Sequence, residues 1–97
     1  MVNLNGHILD DKTVLSIDNR GFRYGDALFE TIKVVNGKIL FWETHYFRLM
    51  ASMRIIRMEI PMTFTMEFLE GQIIKTLESN NLVNAAAKVR LYVYRNK

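Results

Sequence analysis

A guanidinium offers paired N–H donors to a phosphate or a carboxylate, and Arg48 and Arg90 of this chain each stand inside a stretch patterned as regular structure. Arg48 follows a strand-like run by half a dozen residues, at the expected start of a helix, with His45 three positions before it. A helix start adds partial positive charge, so the position suits an anion. Taken alone, an arginine on an amphipathic helix reads as a solvated face residue. Arg90 lies on an alternating strand, where a single arginine most often faces solvent or pairs with a carboxylate on the next strand. The segment Asp18-Asn19-Arg20-Gly21-Phe22-Arg23-Tyr24-Gly25-Asp26 holds two glycines, two basic residues and two aromatics in nine positions. It reads either as a turn needing positive φ at its glycines, or as a loop presenting Arg20, Arg23 and Tyr24 to a ligand or a partner subunit. Phe29-Glu30 reads as a core residue beside a rim residue. His45 could act as a general base, but no nucleophile or acid partner is evident, so a packing or supporting polar role is expected. Lys33, Lys38, Lys75 and Lys88 lie in no apolar pattern that would desolvate an amine for Schiff-base chemistry.

The elements that must carry these groups are legible. Asn5-Gly6 and Asn36-Gly37 each separate two short β-prone runs, and Asn-Gly takes the positive φ angles of a type I′ turn at little cost. In Ala27–Val35, Phe29, Thr31, Lys33 and Val35 share one face, and Leu28, Glu30, Ile32 and Val34 the other. Lys38 to Trp42 is expected to complete the second hairpin. From Glu43 to about Arg57 the period becomes helical, with Phe47, Met50, Ala51 and Arg54 on one stripe and Leu49, Met53 and Ile56 adjoining it. His45, Arg48 and Ser52 lie on a flank. After Pro61, Thr65 is a plausible N-cap with Glu67 in the first turn, and Met66, Leu69, Ile73, Ile74 and Leu77 give a second amphipathic helix running out at Ser79-Asn80-Asn81. Ala85 to Tyr94 alternates again, with Lys88, Arg90, Tyr92 and Tyr94 on one face. This order predicts an α+β, two-layer domain with a mainly antiparallel sheet and two amphipathic helices.

Composition narrows the classes. Ninety-seven residues make one small domain, and 49% apolar with 24% charged residues is an ordinary globular balance. With no cysteine, disulfides, thiol nucleophiles and cysteine-based zinc sites are excluded, and His7 and His45 alone make a multi-histidine metal site an unfavoured reading. The net charge of +3 comes from 13 basic and 10 acidic residues mixed along the chain, a poor footprint for a nucleic-acid partner. No apolar run approaches the roughly 20 residues a membrane span needs, and the N-terminus lacks a signal-peptide pattern, so the expected setting is cytoplasmic.

The stretch Asn19-Arg20-Gly21-Phe22-Arg23-Tyr24-Gly25-Asp26-Ala27-Leu28-Phe29-Glu30-Thr31 resembles the opening signature of the class IV pyridoxal-phosphate enzymes. These are the D-amino acid and branched-chain aminotransferases and 4-amino-4-deoxychorismate lyase. Val34-Val35-Asn36-Gly37-Lys38, then Glu43-Thr44-His45-Tyr46-Phe47-Arg48-Leu49 with its His-x-x-Arg-Leu, and Ala51-Ser52 follow in the same order. The resemblance spans nearly the whole chain, and its weight lies in the set rather than in any single piece.

The resemblance implies a two-domain homodimeric enzyme of which residues 1–97 are the small N-terminal domain. The abrupt end at Tyr94-Arg95-Asn96-Lys97, straight out of a strand-like run, carries the same expectation, the alternative being a domain whose last strand ends the chain. Arg48 matches the arginine that binds the phosphate of pyridoxal 5′-phosphate. Phe29 matches a substrate-pocket position where D-amino acid aminotransferases place a tyrosine. Tyr24 matches a residue that reaches the neighbouring subunit's site in branched-chain enzymes, and Arg90 an arginine near the substrate carboxylate. The family's Schiff-base lysine and the acidic partner of its pyridine nitrogen belong to a second domain without counterpart here, so no catalytic residue is assigned. The expected activity of the parent protein is amino transfer between an amino acid and a 2-oxo acid. Elimination from an amino-substituted chorismate is the alternative; Phe29-Glu30-Thr31 is closer to the D-amino acid and lyase members, whereas branched-chain enzymes often carry Gly at the Thr31 position. A non-catalytic domain that binds a partner or a phosphorylated small molecule is the rival from another class.

Overall fold

A computed structural model describes residues 1–10 and 27–94. The chain opens with a hairpin of β1 (Val2–Leu4) and β2 (His7–Leu9), continues through β3 (Ala27–Val35) and β4 (Lys38–Ile39), then α1 (Trp42–Ile55), α2 (Met66–Ser79) and β5 (Ala86–Tyr94). Both Asn-Gly pairs form two-residue turns with positive φ at each position: 55° and 91° at Asn5-Gly6, 50° and 78° at Asn36-Gly37. These are the angles a right-twisted hairpin requires. The expected α+β fold is what forms. Strand β3 is the centre of a three-stranded antiparallel sheet ordered β4-β3-β5, pairing along its whole length with β5 from Ala27↔Tyr94 to Val35↔Ala86.

The two helices make the second layer. Thr65 caps α2 as anticipated, its hydroxyl accepting the Phe68 N–H at 3.0 Å. Both helices end in left-handed residues, Arg57 and Asn81. Met58 N–H reaches Met53 O and Leu82 N–H reaches Leu77 O, the long bond of a Schellman motif in each case. The core has two adjoining parts. Leu49, Met50, Met53, Met58 and Leu69 form one; Ile32, Val34, Ile73 and Leu77 form the other, with Trp42 and Leu91 packed against both. The opening hairpin is pinned to α2, where Asn3 donates to the Gln72 side chain at 2.9 Å and Lys75 to the Gly6 carbonyl at 3.0 Å.

Two local expectations need correction. The hairpin's return strand is only two residues long, and Trp42 already belongs to α1. On α1 the buried residues are Leu49, Met50 and Met53, while Phe47, Ala51 and Arg54 of the expected leading stripe face outward. A 14-residue helix meets the sheet on one narrow face only, and the rotation about its axis is set by what that sheet offers it. The Trp42 indole donates to Met66 O at 3.2 Å and the Tyr46 hydroxyl to Phe64 O at 2.6 Å, locking this rotation from the α2 side.

Candidate functional site

Alternation along β3 puts Glu30 on the same face as Ile32 and Val34, looking into the helix layer. It is 9% exposed, the one buried charged residue among those described. A buried carboxylate is stable only with donors around it, and α1 supplies them three residues apart on one flank. Arg48 binds Glu30 through two parallel bonds, Nε to Oε2 at 3.0 Å and Nη2 to Oε1 at 2.7 Å. His45 Nδ1 lies 2.6 Å from Oε1. An ionised carboxylate only accepts, so the proton of this bond sits on Nδ1 of His45. The Arg48 side chain keeps 58% of its surface exposed, covering Glu30 with one guanidinium edge while its head stays open.

The Arg48 hydrogen bond holds the Glu30 carboxyl below the ordinary carboxylate value; burial opposes this and His45 adds to it. Glu30 in turn holds the Arg48 guanidinium above its usual value, the shared hydrogen bond being the first cause. A lowered folded value means that ionised Glu30 stabilises the fold fully above about pH 4.5, the ordinary value, and that this contribution is lost as pH falls through the lowered one. Urea midpoints measured from pH 7 downward are therefore expected to drop more steeply in the native protein than in Glu30→Gln once acid passes that point. Parallel curves would show that Glu30 is not the group responsible.

One electrostatic expectation fails. Arg48 is the seventh residue of α1, which starts at Trp42, so it lies about 9 Å along the axis from the helix start. The field of the helix end fades within the first turn, so Arg48 draws nothing from it. What fixes Arg48 is Glu30.

On the opposite face of the sheet the pattern of Phe29-Glu30 is the reverse of core beside rim. Phe29 is 58% exposed while Glu30 is buried. Phe29 stands directly opposite Tyr92 on β5, with ring centroids 5.7 Å apart, and Arg90 stands opposite Thr31 with its guanidinium carbon 6.0 Å from the Phe29 ring centre. Phe29 and Arg90 are thus brought together, joined by Tyr92, which sequence reasoning placed on this face but did not single out. Arg48 belongs to the other face of β3 through Glu30. Tyr24, with the loop Asp18–Asp26 and the run Thr13 to Ile17, lies outside the described residues. Glu30 and His45 are the pair that sequence reasoning underrated. The available signal was a carboxylate on an otherwise apolar strand face, which demands a partner from the next layer.

A hairpin, a long central strand, a helix carrying His-x-x-Arg against that strand, a second helix and a returning strand together make a two-layer α+β arrangement. Residues 27–97 match the amino-transferase class IV family, and the chain belongs to it. Two curated proteins show the likeness at the level of sequence. A Methanocaldococcus jannaschii protein, provisionally named a branched-chain-amino-acid aminotransferase, is 34% identical over 93 residues, covering 95% of this chain and 31% of its own length. The D-alanine aminotransferase of Listeria monocytogenes is 30% identical over 80 residues, covering 81% of this chain and 27% of its own. Among solved structures, the branched-chain aminotransferase of Thermoproteus uzoniensis, crystallised with norvaline, aligns over 95% of this chain and 32% of its own with a TM-score of 0.79 at 25% identity. A Legionella pneumophila protein provisionally named a 4-amino-4-deoxychorismate lyase aligns over 92% and 33% with a TM-score of 0.66 at 31% identity. The chain therefore spans about a third of the length of these relatives. No helix among the described residues is long and apolar enough to cross a membrane.

Proposed function

We propose that residues 1–97 act as the small N-terminal domain of a pyridoxal-phosphate-dependent class IV enzyme, and that the parent protein transfers an amino group between an amino acid and a 2-oxo acid. The observation that carries this reading is the guanidinium of Arg48, clamped along one edge by a buried carboxylate and open along the other. A phosphate dianion calls for a fixed, always-charged partner with two parallel donors, which that open edge supplies. Pyridoxal phosphate, when bound, supplies the electron sink for charge developing on the substrate.

This chain's own residues bind and orient. Arg48 takes the phosphate. Phe29 and Tyr92 form an aromatic wall that sheds water from the substrate's side chain, and Arg90 beside them takes its carboxylate. Tyr24 is assigned, by its place in the family motif alone, to the site of a neighbouring subunit in a homodimer. The proton-moving lysine belongs to the remaining two thirds of the protein. The outward-facing Phe41, Phe47, Ile55 and Met62 are apolar side chains of the kind that docking against further protein would cover. A cytoplasmic setting accords with the reading.

The test is to add pyridoxal phosphate to the full-length protein and look for a visible absorbance band together with a cofactor–lysine adduct by mass. Absence of both rejects the assignment. The likeness to the Legionella protein favours lyase activity as the second reading. Release of pyruvate from an amino-substituted chorismate, with no amino transfer to any 2-oxo acid, would put it first.

A further inference from the structure

A guanidinium has two forks of paired N–H donors: a side fork, Nε with Nη2, and an end fork, Nη1 with Nη2. In Arg48 the side fork is wholly engaged by Glu30, at 3.0 and 2.7 Å, and no described residue accepts a bond from Nη1. Glu30 is itself held on several sides. It projects from the central strand of the sheet, is nearly enclosed, and receives the His45 Nδ1–H at 2.6 Å on the oxygen it shares with Arg48. The chain of fixation runs from β3 to Glu30, is braced by His45, and ends at an arginine that would otherwise sweep through solvent on a long flexible stem.

Two effects of Glu30 on an incoming anion oppose each other. Its negative charge, next to the guanidinium, repels the anion. Its two bonds freeze the arginine with the end fork outward, removing rotamer freedom that an untethered arginine must give up on binding. The repulsion acts past the guanidinium, through a site open to water and salt, and is screened there. The ordering is geometric and is not screened. Orientation therefore outweighs repulsion.

We infer that Glu30, braced by His45, is the positioning residue that turns the end fork of Arg48 toward a phosphate. The inference rests on the reading of Arg48 as the phosphate ligand. It has a consequence that runs against net charge: removing a negative group from beside an anion site weakens anion binding.

The experiment measures, by calorimetry on the full-length protein, the dissociation constants of pyridoxal 5′-phosphate and of pyridoxal. Their ratio is the phosphate preference. Glu30→Gln is expected to lower that preference about tenfold, the scale of losing a charge-assisted bond, while pyridoxal binds as before. Glu30→Asp keeps the charge but shortens the arm, and is expected to fall between the two. It serves as the deciding variant if Glu30→Gln does not fold. Because Glu30 acts only through Arg48, adding Glu30→Gln to Arg48→Ala is expected to cost nothing further. A preference unchanged or raised by Glu30→Gln, or by Glu30→Asp where that variant decides, overturns the inference, the latter showing that repulsion wins. So does an additive double variant. A preference untouched by Arg48→Ala overturns the phosphate reading itself, and the role of Glu30 with it. Loss at Arg48 without loss at Glu30 overturns the role of Glu30 alone.

Discussion

Alanine at position 48 is expected to weaken the binding of pyridoxal phosphate about a hundredfold and to leave pyridoxal nearly unaffected. The contrast between the two ligands matters more than either value. Arg48 has an observed relation to Glu30 inside the protein and a proposed one to an anion outside it, and the substitution ends both. Loss of the inward relation leaves the Glu30 carboxylate with His45 as its described partner, so some stability goes as well. A loosened fold would weaken both ligands alike. Only loss of an anion ligand weakens the phosphorylated one selectively. Arg48→Lys retains the charge but has neither the fork that fits Glu30 nor the one that fits a phosphate, so it is expected to recover little. Calorimetric titration with both ligands checks this, and equal weakening of the two would send Arg48 back to a structural role.

The second large effect is expected at Arg90. Arg90→Ala should raise the Michaelis constant for a carboxylate substrate about tenfold or more, the scale of a charge-assisted hydrogen bond worth roughly 1.5–3 kcal/mol, with cofactor affinity intact. The register of the sheet supports this division of labour. Thr31↔Arg90 and Phe29↔Tyr92 are direct partners, so Arg90, Phe29 and Tyr92 form one cluster on the solvent face of β3 and β5. Glu30, between Phe29 and Thr31, points through the sheet to the helix layer. A substitution on one face therefore reaches the other only through the backbone of β3. Steady-state kinetics on the full-length protein, paired with a cofactor titration, tests it. Weakened cofactor with an unchanged Michaelis constant would mean that Arg90 serves the phosphate side instead.

Local chemistry made much of this architecture readable in advance. Asn-Gly at positions 5–6 and 36–37 demanded tight hairpins because those residues tolerate positive φ, and both turns form. Thr65 and Asn81 bound the second helix for equally local reasons, one offering a hydroxyl to an orphan N–H and the other accepting a left-handed backbone. Strict alternation in Ala27–Val35 separated Glu30 from Phe29 and Thr31 without any structure. The family followed from motif order, since each matched residue type keeps its place relative to the turns and helices around it.

What the sequence by itself determined, then, is the set of elements and which residues share a face, because backbone preference and side-chain period act over a few neighbouring residues. Which face is covered was decided only by tertiary structure. Local pattern favoured Phe29 as core and Glu30 as rim, and the reverse holds because α1 brings His45 and Arg48 to the carboxylate at a separation of 15 and 18 residues. The same docking turned Leu49, Met50 and Met53 inward and left Phe47 outside. A charge is buried where a distant element can neutralise it, and no window along the chain contains both halves of that bargain.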